Sequence, residues 1–195
     1  MKVLGLCGSP TKPSKTLLAV QKAIDYAIAT DPSVSAEVIN IRDYDVVFCN
    51  GKDPATYEGD TQQIIQKIAA SDALIIGTPM YRGSYTGILK NIFDILPNDA
   101  LIGKPVGIIA TGGSDHHFLA IEHELKPLLG FFMAYALPGA VYANNSHYTE
   151  SGLVDQGILD RIQKLVEDVL KFASHMPKQL IGAPGPEIVR SALRG

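Results

Sequence analysis

Cysteine is scarce in this 195-residue chain: there are two, Cys7 and Cys49, and neither has a C-x-x-C partner. A disulfide scaffold and a paired-thiol redox or zinc motif are thereby excluded. Long apolar runs are missing too. No stretch has the length that a bilayer-spanning helix needs, so no membrane partner is expected. Val3–Cys7 is too short for the apolar segment of a secretory signal, which makes the cytoplasm the expected location. Positive charge is not in surplus: 17 Lys and Arg stand against 20 Asp and Glu, a net charge of -3. A nucleic-acid surface is normally basic, so no such partner is expected. The histidines do not form a metal motif. His116, His117 and His123 with Glu122 and Glu124 lack H-x-x-x-H spacing and would not converge from one helix face, so no metal is expected. Neither G-x-G-x-x-G nor G-x-x-x-x-G-K-[ST] occurs, which leaves a dinucleotide fingerprint and a Walker A loop unsupported.

What the chain does have is a 46% hydrophobic share and 19% charge, the balance of a globular domain able to bury its own core. It is organised around Met1–Thr16. Val3–Cys7 is an apolar run that reads as a strand buried on both faces. Gly8-Ser9-Pro10-Thr11-Lys12-Pro13 ends the ladder. From Ser14, the residues Leu17, Leu18, Val20, Ala23, Ile24, Ala27 and Ile28 recur at helical spacing. A strand, a polar loop and a helix N-terminus in that order suit an anion, because the first helical turn carries unpaired N–H groups and the positive dipole end. Ser9, Thr11, Ser14, Thr16, Lys12 and Lys15 add donors. The plainer alternative is an ordinary Ser N-cap with solvated lysines.

Ser35–Ile41 alternates and predicts a strand nearer the sheet edge. Asp43–Glu58 reads as a polar surface loop, and Asp60-Thr61 as the cap of a helix that buries Ile64, Ile65, Ile68 and Ala69. Ala73–Gly77 and Pro105–Ala110 read as central strands. A helix from Ser84 presents Tyr85, Ile88, Leu89, Ile92, Phe93 and Leu96, a face broad enough to serve partly in subunit contact. The helix Asp115–Leu129 contains Pro127, which has no N–H for the carbonyl of His123, so a kink or bulge is expected there. Met133–Ala143 reads as a last strand broken by Pro138-Gly139, and Asn144–Leu153 as a polar loop. A long helix starts at Asp155 with Ile158, Leu159, Ile162, Leu165, Val166, Val169 and Leu170 inward. Residues 1–175 read as one domain and 176–195 as a Pro/Gly-rich arm or tail. Strands alternating with helices throughout predict an α/β fold, a doubly wound parallel sheet with helices on both faces.

In such sheets ligands bind at the carboxyl ends of the strands. Three loops fall there: Gly8–Ser14, Thr78–Ser84 and Thr111–Ser114. Together they can hold a phosphorylated flat ligand. The segments GSPTKPSKT, TPMYRGSYTGILKNIFD and ATGG, followed by LKPLL, resemble the NADPH-dependent FMN reductases, and more narrowly the flavin reductase partners of two-component alkanesulfonate monooxygenases. The T-P-x-Y…G-x-L-K-x-x-x-D pattern is the most specific of these.

The resemblance implies a flavodoxin-like sheet of five parallel strands in the order 2-1-3-4-5. It implies FMN phosphate at Ser9, Lys12, Ser14, Lys15 and Thr16. The isoalloxazine would lie against Pro79, Met80, Tyr81 and Arg82 and against Thr111, Gly112, Gly113 and Ser114. By position alone, Gly83 joins the ring side, and His117 lies near the third loop, where it either approaches the flavin or, the plainer role, caps a helix or faces solvent. The resemblance also implies hydride transfer from NAD(P)H to flavin N5, delivery of reduced FMN to a partner monooxygenase of organosulfur metabolism, and assembly as a homodimer or homotetramer through the helix from Ser84. No general base is needed, so no catalytic side chain is assigned; Tyr81 and Arg82 read as packing and orienting groups, and the backbone N–H groups of Thr111–Ser114 as stabilisers of charge on the reduced flavin. The family often has Arg early in the phosphate loop, where this chain has Thr11-Lys12. Sulfonate-system members can carry an inserted Tyr in a π-bulge of the fourth helix, and the aligned residue here is His123. That substitution leads to the expectation that FMN is held as a prosthetic group. The alternatives are an FMN-retaining reductase of quinones, azo dyes or metal oxyanions, a flavodoxin-type electron carrier, and a flavin-free regulatory or scaffolding module.

Overall fold

The computed structural model describes residues 1–176; the expected arm, from Pro177 on, lies outside the described residues. Strand β1 (Lys2–Cys7) is followed by α1 (Lys15–Thr30), β2 (Ser35–Asn40), α2 (Gly59–Ala70), β3 (Ala73–Pro79), α3 (Gly87–Ile95) and β4 (Pro105–Gly112). The sheet is parallel, with β2, β1, β3 and β4 side by side in that order and β5 (Tyr135–Ala136) after β4, as expected. The fifth strand is broken where Pro138-Gly139 falls. Its halves, β5 and β6 (Val141–Asn144), pair separately with opposite ends of β4. The long helix α5 (Gln156–His175) closes the described fold, and Asp155 caps it through a bond from Ile158 N–H.

The apolar runs of β1, β3 and β4 are buried along almost their whole length because helices cover both faces. One face packs on α1 and α5 through Ala19, Ala23, Ala27, Ile162, Val166 and Val169. The other packs on α2, α3 and the fourth helix through Ile64, Ile68, Ile92, Phe93, Leu125 and Leu129. Glycines set how closely α1 sits. A Cβ on Gly77 would lie 2.2 Å from Val20 Cγ2, and one on Gly5 2.9 Å from Val20 Cγ1. Their missing side chains bring the first turns of α1 down onto the centre of the sheet.

Several local expectations are corrected. Leu18 and Ile28 point to solvent, and the buried face of α1 is Thr16, Ala19, Val20, Ala23, Ile24 and Ala27. Asp60 and Thr61 do not cap α2. They fasten the preceding loop instead: Asp60 Oδ2 accepts from Asp45 N–H at 2.8 Å, and Thr61 Oγ1 from Val47 N–H at 3.0 Å. That loop is not wholly superficial, since Pro54 and Tyr57 are buried, whereas Ala69 is exposed. Helix α3 starts at Gly87 with Thr86 as N-cap, so Tyr85 precedes it. The segment Asn144–Leu153 contains a small antiparallel hairpin of β7 (Tyr148–Thr149) and β8 (Gly152–Leu153).

The expected bulge is present. After a 3₁₀ turn at Asp115–His117 the chain forms a π-helical turn over Ile121–Leu125 and then α4 (Lys126–Phe131). Lys126 N–H reaches back five residues to the carbonyl of Ile121, and Pro127 beside it has no N–H to give. His123 lies in this turn and is exposed.

Gly77→Ala forces Val20 and α1 to shift. An overpacking cost of about 1–3 kcal/mol is expected, a fall in Tm of about 3–10 °C for a chain of this size. Gly130→Ala, in α4 with open space around its Cβ position, is expected to leave Tm unchanged or slightly raised. Thermal denaturation of the two variants checks this.

Candidate functional site

The carboxyl ends of β1, β3, β4 and β6 meet at one edge of the sheet, and backbone bonds lash their loops together. Gly8 N–H donates to Gly77 O at 2.8 Å, and Met80 N–H donates to Thr111 O at 2.7 Å. Thr86 fixes the relation of the first loop to the second. Its hydroxyl caps α3 by accepting from Leu89 N–H at 3.3 Å and donates to Gly8 O at 2.6 Å. Its N–H donates to Thr78 Oγ1 at 3.3 Å. Gly8 lies flat on α3, since a Cβ there would meet Leu89 Cβ at 2.8 Å.

The first loop has the donors expected of an anion cradle. Ser14 caps α1, accepting from Leu17 N–H at 3.0 Å, which leaves Lys15 and Thr16 at the head of the helix. Ser9 is buried, with its Oγ 3.2 Å from Thr11 Oγ1. Lys12 is exposed and precedes Pro13 through a cis peptide. Gly8–Thr16 contains no carboxylate. Thr16 faces inward and shares a 2.6 Å buried hydrogen bond with Thr111, tying α1 to the end of β4.

The second loop is a tight hairpin. Tyr81 N–H donates to Ser84 O at 2.8 Å, and Ser84 N–H returns to Tyr81 O at 3.1 Å. Arg82 (φ 55°) and Gly83 (φ 83°) both have left-handed backbone, as a two-residue primed turn requires. Tyr81 and Arg82 stand exposed at its tip, while Met80 is buried beneath it. Ser84 Oγ donates to Glu124 Oε2 at 3.2 Å, joining this hairpin to the π-helical turn.

The third loop, Thr111–Ser114, is held by the fifth strand. Tyr142 OH donates to Ser114 O at 2.7 Å, and Asn144 Nδ2 donates to Asp115 Oδ1 at 2.7 Å. A Cβ on Gly112 would sit 2.0 Å from the Tyr142 oxygen, so a side chain there would push away the hydroxyl that braces Ser114. His117 is exposed on the 3₁₀ turn beyond this loop.

Between the loops lies a cleft of about 400 Å³. Of the sequence-predicted residues, Thr11, Ser14, Lys15, Pro79, Thr111 and Gly112 line it. The other predicted residues stand around it without lining it: Ser9, Thr16 and Met80 as buried supports, Lys12, Tyr81, Arg82, Gly83, Gly113, Ser114 and His117 on its surrounding loops. Sequence reasoning missed Asn145, Tyr148, Thr149 and Glu150, which form the far wall. The usable signal was topological: they follow the end of the last apolar strand, at the same edge as the other loops.

Burial raises the Tyr148 phenol far above its usual 10.0, and burial followed by the Asp115 carboxylate raises Tyr142. The folded protein therefore keeps phenol protons that the unfolded chain loses above about pH 10, so stability falls as pH rises through that point. Urea denaturation at about pH 8 and about pH 11 should show a falling midpoint, and Tyr148→Phe should lessen the fall. An equally steep fall in the variant would assign the loss to other groups.

The family model for NADPH-dependent FMN reductase matches residues 1–148. An NAD(P)H-dependent FAD/FMN reductase of Geobacillus thermodenitrificans is 39% identical over 171 residues, covering 87% of this chain and 92% of the relative. The NADH-dependent FMN reductase SfnF of Pseudomonas putida is 33% identical over 172 residues, covering 88% and 92%. Among solved structures, an apo NADH:FMN oxidoreductase superposes with a TM-score of 0.76 at 24% identity over 91% of each chain, a likeness of fold. Through the family match and these relatives, the chain belongs to the NADPH-dependent FMN reductase family.

Proposed function

We propose that this protein oxidises NAD(P)H and reduces FMN in the strand-end cleft, and that reduced flavin passes to a monooxygenase. One observation carries the reading. Three loops expected to contact a flavin converge on a single cleft whose basic, hydroxyl-rich end is the N-terminus of α1. The donor set fits FMN: Ser14, Lys15 and the first-turn N–H groups of α1 suit a phosphate. Pro79 and the hairpin behind it suit the flat ring system, and the glycine-rich backbone of Thr111–Ser114 suits its polar edge. FMN, when bound, supplies the hydride chemistry. This chain's residues bind it, orient it and limit water access.

The link to a monooxygenase rests on the resemblance of the TPMYRGSYTGILKNIFD and ATGG segments to the flavin reductase partners of two-component monooxygenases. The same resemblance places homodimer or homotetramer assembly on the helix from Ser84, but its Leu89, Ile92, Phe93 and Leu96 are buried in this chain's own core, so assembly is proposed through the exposed apolar residues Phe118, Leu119 and Phe131 around the π-helical turn. No helix among the described residues is long and apolar enough to cross a membrane.

Oxidation of NADH and of NADPH by protein stripped of flavin should accelerate strongly on addition of FMN. Ser14→Ala removes the α1 cap and a phosphate-facing hydroxyl, so the KM for FMN should rise about 5–10-fold with a smaller change in kcat. Flavin-independent oxidation at full rate by colourless protein would overturn the reading. Retention of FMN as a prosthetic group, proposed from His123 in the π-helical turn, predicts flavin absorbance that persists through gel filtration. Purified protein that is colourless and binds FMN only weakly would remove retention and leave the reductase.

A further inference from the structure

Lys15 does not project freely. Its Nζ donates to Asn145 Oδ1 at 2.9 Å and lies 5.3 Å from the centre of the Tyr148 ring, within cation–π range. The Tyr148 hydroxyl donates in turn to the backbone carbonyl of Lys15 at 3.2 Å, so one residue holds both ends of the lysine. Asn145 and Tyr148 are 130 and 133 positions away in sequence and reach Lys15 because β6 ends beside the head of α1. All three residues line the cleft.

Every partner in this arrangement is neutral. An amide oxygen, a π face and a hydroxyl restrict the long side chain without cancelling its charge. A carboxylate in the same place would neutralise the ammonium and repel an incoming anion. An ammonium has three donors, and one is used here, so the charge and the remaining N–H groups stay available. Lysine otherwise loses considerable rotamer freedom on meeting a phosphate. Holding it in advance removes that cost from binding.

We propose that Asn145 and Tyr148 form a neutral clasp that presents the Lys15 ammonium to the phosphate of the flavin, making them positioning residues that set the preference for FMN over riboflavin. The inference rests on the reductase reading and adds to it a second wall, supplied by the segment after β6. Glu150, exposed at the tip of the β7–β8 hairpin, lines the same cleft and would repel a phosphate, so the attraction of this wall for an anion rests on Lys15.

The test is equilibrium binding of FMN and of riboflavin to the full chain, followed by flavin fluorescence. Wild type should favour FMN. Tyr148→Leu should weaken FMN about tenfold and riboflavin less than twofold. Tyr148→Phe keeps the ring face and should lie close to wild type. Tyr148 is buried, so the exposed Asn145 provides the arm that is safe for folding. Asn145→Ala should weaken FMN about threefold. Asn145→Asp should weaken it more than alanine does, although it gives Lys15 a stronger partner. A purely structural role predicts the reverse order, with aspartate close to wild type. Unchanged FMN-to-riboflavin ratios in all four variants would overturn the clasp while wild type still preferred FMN. Equal or absent binding of both flavins by wild type would instead overturn the reductase reading's phosphate site.

Discussion

The close seating of α1 on the sheet is the constraint from which the site follows. Gly5 and Gly77 leave room for Val20, and Gly77 also leaves room for Thr16, where a Cβ would meet Thr16 Cγ2 at 3.0 Å. The helix start therefore sits directly over the ends of β1 and β3, and Thr16 can reach across to Thr111 on β4. A helix held further off by larger residues would leave the α1 N-terminus above the cleft without touching its walls. Packing and binding are thus one property at this point: the same absent side chains that close the core also place the positive end of the helix at the strand ends.

Around that seat, hydrogen bonds join the loops to one another. Thr86 serves at once as the cap of α3 and as a tether for Gly8. Tyr142 braces the glycine turn, and Asn144 anchors the start of the following 3₁₀ turn through Asp115. Ser84 meets Glu124, which links the ring-side hairpin to the π-helical turn. Loops on an α/β scaffold usually carry function by virtue of the rigid strands beneath them. Here cross-links between loops add a second layer of order, suited to a reaction in which orientation of a cofactor matters more than any acid or base.

Much of the fold was legible because its signals are local. The apolar runs Val3–Cys7, Ala73–Gly77 and Pro105–Ala110 marked the central strands, Pro138-Gly139 the break in the last one, and Pro127 the π-helical turn. What was not legible depends on partners far away in sequence. Asp60 and Thr61 are good caps by type, but loop amides compete for the same oxygens, and only the folded chain decides between them. Leu18 and Ile28 fit a helical stripe, yet the sheet meets α1 on its small-residue side. The β7–β8 hairpin has strands of two residues each, too short for periodicity to show. In the site, the three loops were readable from their position after apolar strands. The fourth wall was missed because Asn145 and Tyr148 acquire meaning only beside Lys15.

The most direct measurement is a crystal structure at saturating FMN. The flavin phosphate should lie within hydrogen-bond distance of Ser14, Lys15 and the first-turn amides of α1, with the ring system against Pro79 and the Thr111–Ser114 turn. A flavin lodged elsewhere would contradict it, for instance in the cavity of about 510 Å³ at the opposite end of the strands, lined by Met1, Lys104 and Met176.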